Sequence, residues 1–386
     1  MFRFQPRSTT VRSVRPSHHR ASLPPGGATL LASLLAVAAP ALAPAAEDGA
    51  PEPPRPAATA DGLDLWAEAG GGVDGNPGRV AGVSQSPRGF TSLLGRARAR
   101  LEGETVAAVL TLTEAGRLYP GARGADALAS RLELLGRARL AAGLTAAVSG
   151  SAADTTQRDG LLDRHALHGE GSLAYRHGPV QGAVTGGWSL FAPREPLLRP
   201  FRSSGPEAWL RLAWWPAGAH QLSVGAGRSR AGFPGWAAAG APGSPRREDE
   251  AQHLSAGWSW RGTALVSLAW DFTQNRSGAP GGDFTRHRLG ASGALRLPLE
   301  VTLAARLALQ WSRYPDPLLL PAEQRLAEGQ EALDQMEARL TRTVSGPVEA
   351  SLSLAWYRAQ GGAGVPAYQR TVAAVALGWR SRAVSP

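Results

Sequence analysis

From Leu63 onward, apolar and polar residues alternate along the chain, and the alternation recurs almost to the last residue. A strand sends successive side chains to opposite faces, so a period of two predicts strands with one apolar and one polar face. In Ser92 to Glu102, Leu93, Gly95, Ala97, Ala99 and Leu101 share one face, while Arg96, Arg98 and Arg100 share the other. In Ser130 to Ala141, Leu132, Leu134, Gly136, Ala138 and Leu140 oppose Arg131, Glu133, Arg137 and Arg139. Arg211 lies between Leu210 and Leu212, Arg339 between Ala338 and Leu340, and Arg306 opposes the apolar set Val301, Leu303, Ala305, Leu307, Leu309 and Trp311. The charge takes the polar face each time.

These segments run to about 9 to 11 residues, the length a tilted strand needs to cross a bilayer. Tight turns are expected at Glu102 to Glu104, Ala141 to Gly143, His177 to Pro179, Pro216 to Ala219, Arg261 to Gly262, Pro298, and Gly346 to Pro347. Between each tight turn and the next lies a long polar connection, such as RSRAGFPGWAAAGAPGSPRREDE or QNRSGAPGGD. Short turns on one side and long loops on the other are the pattern of an outer-membrane barrel. The expected fold is therefore all-β. It is a transmembrane antiparallel up-and-down barrel of about 16 strands, within about 14 to 18, with short periplasmic turns and long extracellular loops.

Tryptophan placement tests that expectation independently. If the first strand, Leu63 to Val73, runs outward, Trp188, Trp270, Trp311 and Trp356 fall at outer strand ends, and Trp214, Trp258, Trp260 and Trp379 fall at inner ends. Two belts at opposite heights match the headgroup levels that Trp favours.

Magnitudes then assign the faces. An arginine on the lipid side at mid-membrane costs about 2 to 4 kcal/mol. Arg98, Arg137, Arg211 and Arg306 together would cost on the order of 8 to 16 kcal/mol, comparable with the stability of a whole domain. The polar face is therefore expected to line a lumen, with a basic stripe of Arg96, Arg98, Arg100, Arg131, Arg137, Arg139, Arg211, Arg306 and Arg339. The acids Glu68, Glu133, Glu170 and Asp271 are interspersed on the same face. Such a stripe favours anions in a water-filled pore, and a barrel of about 16 strands is wide enough to hold one.

Composition adds limits. Apolar residues make up 43% of the 386, mostly Ala, Leu and Val in alternation, which excludes a helical membrane bundle. There is no lysine or isoleucine, so all 41 basic residues are arginine, a bias that matches GC-rich coding. Residues 1–46 read as a secretory signal peptide: Arg3, Arg7, Arg12, Arg15 and Arg20 precede the apolar run Ala28 to Ala43, and Ala43-Pro44-Ala45 offers a cleavage site. Removing those five arginines leaves 36 against 31 acids, too small a surplus to suggest a nucleic-acid partner. Residues 47–62 are a Pro/Ala-rich linker, expected in the periplasm, and 63–386 a single barrel domain. Cysteine is absent, so neither disulfides nor a lipidated cysteine are available.

With these features the chain resembles porin-like bacterial outer-membrane β-barrels. The resemblance lies in the architecture from Leu63 to Ala383, and in the segment GGGVDGNPG (Gly70 to Gly78), similar to a G-x-D-x-N-P turn found after first strands in barrel families. It implies an outer-membrane, multi-pass location after cleavage of the signal, assembly by the barrel-assembly machinery, and outer-membrane lipid and lipopolysaccharide as surroundings. It carries no site residues.

No metal-ligand cluster, phosphate loop or nucleotide fingerprint is legible, so no cofactor, metal or catalytic residue is expected. His168, Glu170 and Ser172 share a face, but their spacing is generic, and lumenal hydrogen bonding is the simpler expectation. Ala322 to Met336 has helix-forming composition and is expected to form a short helix in an outer loop. The leading functional expectation is passive or facilitated passage of small, anionic solutes. One alternative is polysaccharide export, since Trp209, Trp215 and Tyr357 take the polar-face parity. Another is a structural or interaction barrel presenting its outer loops. Oligomeric state and solute are open from sequence.

Overall fold

The computed structural model describes residues 62–77, 86–122, 125–157, 163–194, 196–237, 246–279, 282–313, 315, 333–359 and 368–381. The expected signal peptide and linker lie outside them except for Gly62, which opens the first strand. In chain order the strands are β1 (Gly62–Asp74), β2 (Arg88–Glu102), β3 (Val106–Leu118), β4 (Ala127–Ala141), β5 (Leu144–Gln157), β6 (Arg164–His177), β7 (Val180–Pro193) and β8 (Ser203–Ala217). They continue as β9 (His220–Ala237), β10 (Arg246–Arg261), β11 (Ala264–Ser277), β12 (Phe284–Arg296), β13 (Val301–Arg313), β14 (Leu333–Ser345), β15 (Val348–Ala359) and β16 (Tyr368–Arg380). Each pairs antiparallel with its chain neighbours, and β1 pairs with β16 from Trp66↔Arg380 to Asp74↔Val372, closing the sheet. The fold is a sixteen-stranded up-and-down barrel.

Closure satisfies every strand edge, which a sheet in hydrocarbon requires because no water is there to pair with exposed N–H and C=O groups. Outward positions carry exposed apolar side chains all round the wall, among them Leu134, Leu210, Leu268, Leu352 and Val375. In a water-soluble protein such a surface would aggregate; around a barrel it is a lipid face.

All sixteen strands are longer than the expected crossing length, from 12 residues in β15 to 18 in β9. The outward face of the extra length shows why. Trp270, Phe272, His287 and Trp311 stack in a row with ring centroids 5.0 to 6.3 Å apart. Beyond that row the outward positions become charged: Arg228 and Arg230 contact Glu250, with Arg276 and Arg313 exposed nearby. The strands run on past the apolar band.

The tight connections are at the other end. Gly143, Gly178 and Gly346 take positive φ (76°, 57° and 53°), and a Cβ on Gly143 would stand 2.5 Å from the Arg176 carbonyl oxygen. Leu297 N–H donates to Val301 O around the turn at Pro298–Glu300, where Leu299 and Glu300 also take positive φ.

The seam between first and last strands is fastened at both ends. At the inner end Leu65 N–H donates to Ser381 Oγ and Ser381 N–H to Leu65 O, both at 2.8 Å. At the outer end the GGGVDGNPG turn holds the seam. Asp74 is wholly buried and accepts from Asn76 N–H (3.0 Å), Tyr119 O–H (2.7 Å) and Arg370 Nη2 (2.6 Å). Asn76 Nδ2 donates to Gln369 O. Phe90, Tyr119, Ala125, Tyr357 and Val372 pack around these groups as an apolar cluster inside the barrel.

Some sequence expectations fail within the described residues: Arg228 to Ala237 and Arg246 to Glu250, expected in a long connection, belong to β9 and β10, and Gln274 to Ser277 to β11. Leu333 to Met336, the end of the segment expected to be helical, begins β14. Gln335 pairs with Ala308 and Tyr357, Met336 with Leu307 and Trp356, and sheet pairing on both sides outweighs local helix propensity there. The rest of that segment lies outside the described residues.

Candidate functional site

Residues directly opposite in an antiparallel pair share a face, so the registers trace the inner wall strand by strand. One row runs Asp64, Arg98, Thr111, Glu133, Ser151, His168, Ser189. Another runs Ala183, Arg211, Gly225, Ser255, Asp271, Arg288, Gln310. A third runs Ser267, Ser292, Arg306, Glu337, Ala355, Val372, Asp74. The same parity places Arg96, Arg100, Arg131, Arg137, Arg139, Arg339, Glu68 and Glu170 on this inner face.

Those charges differ in how they are held. Arg100 stands 3.4 Å from Asp64, Arg131 bonds Glu133 at 2.7 Å, and Arg339 bonds Glu68 across the seam. Arg96 and Arg339 both lie over the Trp66 ring, and Arg211 lies over Trp209. Arg306 faces Glu337, yet that carboxylate accepts from Gln335 Nε2 (2.6 Å) and Tyr357 O–H (2.8 Å). Arg306 Nε and Nη2 are buried without a hydrogen bond, as is Nε of Arg288, which faces Asp271. Guanidinium nitrogens left in that state raise the local positive potential.

The eight tryptophans expected in belts all take the outward parity of their strands. Trp188, Trp311, Trp214 and Trp379 are exposed. Trp270 and Trp356 share outward registers with Leu289 and Met336, and Trp258 and Trp260 with Leu222 and His220. Trp258 Nε1 donates to His220 Nδ1 at 3.3 Å.

Sequence reading missed several inner-wall residues: Trp66, Arg117, Glu207, Arg288 and the Asp74–Arg370 pair. Their parity was available. Glu207 shares a face with Trp209 and Arg211, but Gly205 and Pro206 blur the start of its strand. For His168 the sequence suggests lumenal hydrogen bonding in place of a triad with Ser172, and its neighbours are Glu207 Oε1 at 3.1 Å and Glu170 Oε2 at 3.8 Å.

No protein-family model and no curated protein sequence matches the chain. Solved structures share its architecture. They include a bacterial polysaccharide outer membrane secretin (9% identity, 83% of this chain and 99% of that one, TM-score 0.42). Pseudomonas aeruginosa OccK2 is another (14%, 83% and 98%, 0.43), and OmpT, an outer membrane protein of Vibrio cholerae, a third (10%, 83% and 100%, 0.44). The molecule is a closed sixteen-stranded antiparallel β-barrel, with an apolar face outside and a charged wall inside.

Proposed function

We propose that the protein is an outer-membrane channel through which small solutes pass by diffusion, with a preference for anions. The observation that carries this reading is the inner wall itself. Arginines outnumber acids on it, and Arg288 Nε and Arg306 Nε and Nη2 are buried with no protein acceptor, so their charge adds to the field of the wall. A wall of one prevailing sign concentrates ions of the opposite sign within its low-dielectric rim. The apolar outer face fits outer-membrane lipid and lipopolysaccharide, and insertion there calls on the barrel-assembly machinery.

Polysaccharide export is less well supported. Sugars stack on free aromatic faces, but the inward rings are already covered: Trp66 by Arg96 and Arg339, Trp209 by Arg211 and His253, Trp215 by Arg176.

Reversal potentials in planar bilayers under a salt gradient test the proposal. Anion preference is expected, and it should fall in R288Q/R306Q. An absence of channels, or a cation preference unmoved by those substitutions, overturns it.

A further inference from the structure

We infer that His168, Glu170 and Glu207 form a binding site for a divalent cation of the zinc class on the inner wall. His168 and Glu170 are two residues apart on β6 and so share its inner face. Glu207 on β8 reaches them because the register aligns Glu170, Gly187 and Glu207 across three strands. The intervening strand contributes only a glycine at that level. A Cβ on Gly187 would stand 2.9 Å from Glu207 Oε1, so the missing side chain leaves the space in which the two carboxylates approach.

One ligand atom from each residue lies within 4.8 Å of the other two. Zinc bonds of about 2.0 to 2.2 Å in a tetrahedron put ligand atoms about 3.3 to 3.6 Å apart. The imidazole lies between the two carboxylates, with Nδ1 3.1 Å from Glu207 Oε1 and Nε2 3.8 Å from Glu170 Oε2, so an ion takes one of the two ring nitrogens and the ring turns to bring that nitrogen to both carboxylates. Each carboxylate is also oriented through its other oxygen. Ser149 Oγ donates to Glu170 Oε1 at 3.0 Å and Trp209 Nε1 to Glu207 Oε2 at 3.5 Å. Glu207 Oε1 is buried, makes no hydrogen bond and faces His168 Nδ1 at 3.1 Å, so its charge is directed at the imidazole end of the site. Support of one oxygen while the other points to the ion is how outer-shell groups fix metal ligands.

Arg211 interacts electrostatically with His168 and Glu170, and offsets one of the two carboxylate charges. The remaining negative charge still favours a divalent cation. Imidazole among the ligands selects zinc-class ions over calcium or magnesium, which take oxygen ligands. Three protein ligands leave a fourth position to lumenal water.

The test is equilibrium dialysis of the full barrel in detergent against Zn²⁺, with bound metal measured by atomic emission, so that its outcome is independent of conductance. About one Zn²⁺ per chain is expected, with affinity reduced at least about tenfold in H168A and in E207Q. Co²⁺ in place of Zn²⁺ should give the visible absorption of a low-coordinate site. G187A, which leaves all three ligands in place but crowds the gap, should also weaken binding, and heat-modifiable gel mobility identifies which variants are folded. No Zn²⁺ above a buffer control, unchanged binding in a folded H168A/E207Q barrel, or a preference for Mg²⁺ over Zn²⁺ overturns the assignment.

Discussion

Asp74 and Arg370 are 296 residues apart, and both are almost fully buried. Burial also pushes the Tyr119 phenol above its ordinary pKa, so it stays protonated and donates to the Asp74 carboxylate. A buried ion pair is weak evidence of net stability, but removing one partner leaves the other uncompensated and costs about 3 to 5 kcal/mol. R370M and D74N are each expected to lower the unfolding free energy obtained from urea titration by about that much, and Y119F by about 1.5 to 3 kcal/mol. The R370M/D74N double variant should lose less than the sum of the two singles. Additive losses, or a single variant as stable as the parent, would show that the pair does not hold the seam. The motif around Asp74 stood out in the sequence as a turn, but its partner could not be read there. Nothing local to Arg370 says that the last strand returns to the first.

At the scale of one strand, far more was legible. Period-two alternation assigns two faces to β4, because a strand embedded between lipid and lumen has no freedom to mix them. Leu134 and Leu135 are adjacent near its middle, with Leu134 outward and exposed and Leu135 on the inner face opposite Val109 and Ser149. L134R is expected to destabilise folding in lipid vesicles by about 2 to 4 kcal/mol, and L135R by less than about 1 kcal/mol. Equal penalties in the two variants would mean that the face assignment of β4 is wrong. The strand ends were harder to read, since loop and strand compositions merge beyond the bilayer. At Leu333 to Met336 helix-forming residues turned out to be sheet. The His168, Glu170 and Glu207 constellation was only two-thirds visible, because the third member depends on the register of β7 against both neighbours.

For the molecule as a whole, the question is whether the inner wall acts through its summed field or through a few contacts. The inward arginines are spread over most of the circumference, from Arg96 on β2 through Arg211 on β8 to Arg339 on β14. Several are paired, as Arg339 is with Glu68, and paired charges contribute little at a distance. Such an extended field is screened by salt: the Debye length falls from about 10 Å at 0.1 M to about 3 Å at 1 M. Anion preference arising from the field should therefore be strongest in dilute salt and approach parity near 1 M. A preference anchored on direct contacts with Arg288 and Arg306 would instead persist at high salt, because partly buried charges are screened much less. Reversal potentials measured at fixed gradient ratio across this range, for the parent and for R288Q/R306Q, separate the two. Loss of preference with salt in both proteins assigns selectivity to the whole wall. A salt-resistant component present only in the parent assigns that component to the two arginines, and a preference constant with salt in both proteins rules out either electrostatic origin.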